Sequence, residues 1–135
     1  MDEKKNTSSK LSGFLDGYKA SNIANAESTL RYHIGEIKEN IEEMLSAPNQ
    51  DDEIILLLKK SLKILNSGKL DLLSKFVEFG ESFKTTIYMM KSVSDFNKKK
   101  IKMVVFHYLE LAEKIEDKKL NSLAIEIAEL FSMIK

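Results

Sequence analysis

Apolar residues recur every three or four positions through most of the chain, and no stretch of strand length alternates between apolar and polar residues. This periodicity is typical of amphipathic helices. One proline and five glycines leave few positions that would interrupt a helix. The sequence therefore predicts an all-α protein, an up-and-down helical bundle of four to five helices with short connections.

The second apolar segment of the chain has the most regular pattern. Its apolar positions are separated by three or four residues throughout: Ile23, Ala26, Leu30, Ile34, Ile37, Ile41 and Met44. This spacing is close to a heptad repeat, whose narrow apolar stripe suits one closely packed helical partner. We expect the helix to end before Pro48, because the residue that precedes a proline avoids the α conformation.

Four further apolar segments cover residues 54–65, 70–90, 96–115 and 120–134. Gly68 follows the first of them and is suited to a left-handed cap position. Gly80 lies on the apolar face of the second, where it would let a neighbouring backbone approach closely. The step of five from Ile115 to Leu120 breaks the helical phase and predicts a kink or tight turn near Asp117, with one long helix as the alternative.

The beginning of the chain differs from the remainder. Residues 1–10 are predicted to be a flexible polar N-terminus, and residues 11–135 are predicted to form a single helical-bundle domain, a size typical of one domain. Within that domain, Leu11, Phe14, Leu15 and Tyr18 share one helical face. Two glycines between them weaken this first helix by up to about 1 kcal/mol each relative to alanine.

The composition excludes several classes of protein and site. The 21 basic and 21 acidic residues balance, so no net charge favours nucleic acid or anionic lipid. Cysteine is absent, which excludes disulfides and thiolate metal sites. Neither a secretory signal nor a membrane span of about 20 apolar residues is evident. We expect a cytoplasmic protein; the alternative is a lipid-anchored surface protein that has lost its signal.

Two histidines each precede a glutamate by three positions, His33 with Glu36 and His107 with Glu110. Di-iron bundles pair the same residue types, but normally in the order Glu-x-x-His and with further inward carboxylates. Phosphate-accepting histidines also occur on bundle helices, but the lysine and glycine that usually follow them are not found at that spacing after His33. We expect two partly buried histidines beside surface acids, and neither a metal ion nor another cofactor.

Catalytic motifs are also missing from the sequence. It contains no glycine-rich phosphate loop, nucleophile elbow or catalytic triad. We therefore predict a protein that is not an enzyme.

One basic cluster stands out, formed by Lys98, Lys99, Lys100 and Lys102. Lysines beside aromatic residues often hold single-stranded nucleic acid. Consecutive helical residues, however, point about 100° apart, so this cluster does not form one face of a helix. A small helical nucleic-acid-associated subunit of a larger complex is the alternative function.

The sequence favours a non-enzymatic protein-interaction module that binds itself or another protein. We predict an antiparallel homodimer whose interface is the regular apolar seam formed by Ile23, Leu30, Ile34, Ile37, Ile41 and Met44. The competing interpretation is that the later helices of the same chain fill this seam.

Overall fold

The computed structural model describes residues 20–48, 50–90 and 92–134, and the side chains of residues 20–27 lie outside this description. The described residues form five helices: α1 (Ala20–Leu45), α2 (Asp52–Leu65), α3 (Leu72–Met89), α4 (Asp95–Ile115) and α5 (Lys118–Ser132). They contain no strand. The predicted all-α helical bundle is confirmed. The predictions for residues 1–10 and for the face from Leu11 to Tyr18 concern residues outside the described ranges.

The five helices pack as a ring around one core. Helix α1 packs against α4, α4 against α5, α5 against α3, α3 against α2, and α2 returns to α1. Glu43 pairs with Lys100, whereas Glu36 approaches His107, so α1 and α4 run antiparallel. The order of packing differs from the order of the chain, because α4 returns to α1 rather than lying beside α3.

Aromatic residues from α3 and α4 fill the centre of this ring. The rings of Phe79 and Phe83 stack, with centroids 5.4 Å apart, and Phe79 also contacts Tyr108. The hydroxyl of Tyr108 donates a hydrogen bond of 2.7 Å to the carbonyl oxygen of Phe76, so its buried polar atom is satisfied. Tyr108 thereby connects two helices whose backbones are not neighbours in the ring.

The close approach predicted at Gly80 exists, but a side chain rather than a backbone makes it. A Cβ atom added to Gly80 would lie 2.1 Å from the Tyr108 hydroxyl oxygen and 2.8 Å from Cζ. Any larger residue at this position would displace the tyrosine ring from the core. Gly80 is thus required by the space that Tyr108 occupies.

The turn predicted near Asp117 is confirmed and separates α4 from α5. Glu116 caps α4 in the left-handed conformation, with φ of 60°, and Asp117 caps α5 by accepting from the Leu120 amide.

The left-handed cap predicted at Gly68 is wrong, because no described glycine has a positive φ and α2 ends at Asn66 in the right-handed region. The left-handed residue is instead Glu116, in the two-residue turn between α4 and α5.

We predict that Gly80→Ala destabilises the fold by about 1–3 kcal/mol, because the added methyl group overpacks the core against Tyr108. Gly35→Ala is the matched control, since nothing lies within 4 Å of the added atom. That substitution should stabilise α1 by up to about 1 kcal/mol. Urea denaturation measures both. Equal effects of the two substitutions would contradict the packing of Tyr108 against α3.

We also predict that Glu116→Gly stabilises the protein by about 1 kcal/mol, because glycine adopts the left-handed conformation without a Cβ clash. Glu39→Gly in the middle of α1 is the control and should lower stability by a similar amount. Thermal melting of both variants tests this. A lower melting temperature for Glu116→Gly would show that the turn has a different conformation.

Candidate functional site

The two histidines of the chain meet at the interface between α1 and α4. The Nδ1 atoms of His33 and His107 lie 2.8 Å apart, and their ring centroids are 5.0 Å apart. Both residues are buried, with 6% and 2% of their surface exposed. Each lies at the edge of its helix's apolar face, and the antiparallel packing brings the two edges into register. The distance indicates a direct hydrogen bond between the imidazoles.

A hydrogen bond between two Nδ1 atoms requires one donor and one acceptor. The Nε2 atom of His107 is buried without a hydrogen-bond partner and lies 3.8 Å from Oε1 of Glu36. A hydrogen on this atom faces the carboxylate favourably, whereas a lone pair would be repelled by it. We therefore assign the hydrogen of His107 to Nε2, so His33 donates through Nδ1–H to Nδ1 of His107.

Charged and aromatic neighbours surround the pair. Burial, and next the adjacent His107, lower the pKa of His33, while Glu110 and Glu36 act in the opposite direction. Tyr32 contacts both imidazoles edge-on, with centroids 5.2 Å and 5.6 Å away, and half of its side chain remains exposed. The ring of Phe106 also contacts His107 edge-on, with centroids 5.1 Å apart, so aromatic side chains from both helices lie against the pair.

The structure changes how the two His–Glu pairs relate to each other. Glu36 belongs to the same helix as His33 but approaches Nε2 of His107, and Glu110 of α4 acts on His33. Glu36 therefore acts on both histidines, and Glu110 acts across the interface on His33. Among the described residues, no group of three or more histidine, aspartate or glutamate side chains is placed to hold a metal ion.

The seam predicted as a dimer interface lies inside the chain's own core. Four of its side chains are almost fully buried: Leu30, Ile37, Ile41 and Met44. Ile34 is half-buried and packs against this core. Ile23 lies outside the described side chains. The physical reason is that α4 and α2 of the same chain pack against α1, so a second copy cannot occupy the described part of this seam in this fold.

The four lysines of the basic cluster point in different directions. Lys100 forms an ion pair with Glu43 and lies 5.2 Å from the centroid of the Phe96 ring. Lys98 is half-buried, whereas Lys99 and Lys102 are exposed on the outer side of α4. The cluster is thus divided between an interhelical contact and the surface.

The outer surface of α4 carries a group of exposed apolar residues. Phe96 and Phe106 are about half exposed, at 47% and 50%. Met103 and Leu109 are exposed to 39% and 37%. Successive residues of a helix point 100° apart. Met103, Phe106 and Leu109 therefore lie on one outer arc of α4. The same arc carries four charged residues: Lys99, Lys102, Glu110 and Glu113. The exposure of Phe106 does not follow from the sequence, because the apolar pattern of α4 is continuous and does not show which side of the helix meets α1.

No helix of the described residues is both long and apolar enough to cross a membrane. Comparison of the chain with protein-family models, with curated proteins and with solved structures finds no match.

Proposed function

We propose that this protein is a non-enzymatic helical interaction module that self-associates through the outer face of α4. The observation that carries the proposal is the order of residues on that face. Phe106 lies midway between Lys99 and Glu113, and also midway between Lys102 and Glu110. Basic residues thus precede the central aromatic residue at the same distances at which acidic residues follow it.

Such an order is self-complementary for two antiparallel copies of the helix. A two-fold axis at Phe106 brings the two phenylalanine rings together. It also sets Lys99 of one copy level with Glu113 of the second, and Lys102 level with Glu110. A parallel pair in register would bring like charges together instead. The sequence of α4 therefore favours one relative orientation of two copies.

Exposed apolar side chains supply the contact area for this pairing. Met103 and Leu109 flank Phe106 on the same outer arc and are exposed in the single chain. The face from Lys99 to Glu113 is about 21 Å long, since an α-helix rises 1.5 Å per residue. Contacts of this size belong to the smallest class of specific interfaces, so we expect a dissociation constant on the order of micromolar.

We predict that Lys99→Glu and Glu113→Lys each weaken the dimer, because each sets like charges opposite one another. The double variant with both substitutions should restore association, since it exchanges the two charges. Sedimentation velocity over a range of protein concentrations measures this at low salt, where surface charges are screened least. Lys59→Glu on α2 is the control for the change in net charge and should leave association unaffected.

A second pair of variants tests the apolar centre. Phe106→Ser should give a folded monomer, whereas Leu56→Ser, at a more exposed position on α2 (67%), should not alter association. A parent protein that stays monomeric at high concentration, or a double charge variant that fails to associate, would reject the proposal. Salt-dependent binding of single-stranded RNA that is lost in Lys99→Glu would instead support the nucleic-acid function.

A further inference from the structure

The hydrogen bond between His33 and His107 limits how many protons the pair can hold. A single hydrogen occupies the 2.8 Å space between the two Nδ1 atoms. One added proton can be accommodated, because an imidazolium ring still donates to a neutral one. If both rings were imidazolium, both Nδ1 atoms would carry hydrogens directed at each other. At most one positive charge is therefore compatible with this spacing of α1 and α4.

Burial strengthens this limit. Both histidine residues are more than nine-tenths buried, so water cannot solvate a second positive charge while the helices stay packed. The charged groups that act on His33 come from the two helices themselves: Glu36 from α1, and Glu110 and Lys114 from α4. The carboxylates favour one positive charge and Lys114 opposes it. The Nε2 atom of His107 also faces Glu36, at 3.8 Å.

We propose that the two histidines form a proton-operated latch between α1 and α4, closed when the pair shares one hydrogen and released when both rings become imidazolium. Release loosens the central part of the interface between α1 and α4, because His33 lies at the middle of α1 and His107 lies just past the middle of α4. The latch follows from contacts within one chain, so it does not depend on the proposed dimer.

The direction of the pH dependence follows from counting protons. In the unfolded chain each histidine titrates independently near pH 6.5, so two protons are bound well below that value. The folded pair holds at most one. The unfolded state therefore binds at least one proton more in acid, and stability is complete above about pH 6.5 and declines below it. Burial lowers the pKa of His33 in the folded state, which likewise reduces stability as the pH falls.

Nuclear magnetic resonance of the histidine ring nitrogens tests the latch directly on the unmodified protein. The chain contains two histidines, so every ring signal belongs to the pair. At neutral pH we expect one ring protonated at Nδ1 (His33) and one at Nε2 (His107). Between pH 6.5 and 5 the folded protein should take up no more than one proton on the two rings. Two rings that both become imidazolium near pH 6.5 while the fold persists would overturn the proposal.

Stability measurements provide an independent test. Over the lower part of the same pH range, the unfolding equilibrium constant should rise by about tenfold for each pH unit lost, which is one proton of difference. The double variant His33→Gln and His107→Gln keeps a polar pair but removes both titrating groups, and it should lose this pH dependence. The same slope in the parent and the double variant would show that other groups cause the acid sensitivity and would overturn the latch.

Discussion

The antiparallel packing of α1 against α4 is the contact on which the rest of this structure depends. It fills the regular apolar seam of α1, closes the ring of five helices and determines which side of α4 faces outward. A narrow apolar stripe requires a close helical partner, and this fold provides one from the same chain. Because the chain satisfies this seam itself, the interaction surface that we propose lies on the outer side of α4.

The same contact brings together chemistry that the two helices do not have separately. Each histidine, placed at the margin of an apolar face, would reach water in an isolated helix. When the faces meet, the two rings are buried against each other, Glu36 approaches His107 across the interface, and Glu110 acts on His33. A polar pair inside an apolar interface is stable when its hydrogen bond is made and costly when that bond is lost. This asymmetry is the physical basis of the proposed latch.

The packing of Tyr108 against α3 holds the centre of the ring together, in addition to the contact between α1 and α4. Tyr108 extends from α4 to α3 and needs the space left by Gly80, while its hydroxyl bonds to a backbone carbonyl. This contact fixes the rotation of α4 about its own axis. With α1 on one side and Tyr108 directed inward, the outer arc around Phe106 stays exposed among the residues that the structure describes. The proposed interaction surface is in this sense a consequence of how α4 is held.

The sequence by itself determined where the described helices lie, because helical periodicity is a local property of the chain. The step of five before Leu120 located the turn at Asp117, and the spacing from Leu30 to Met44 identified a face that needs a helical partner. The tertiary structure decided which helix that partner is, since the same stripe is satisfied equally by another helix of the chain or by a second copy. It also decided that His33 meets His107, because contact between residues 74 positions apart depends on the register of two helices. The left-handed cap gives a similar lesson. Glycine at position 68 favours such a cap, but the path of the chain requires one at Glu116 instead.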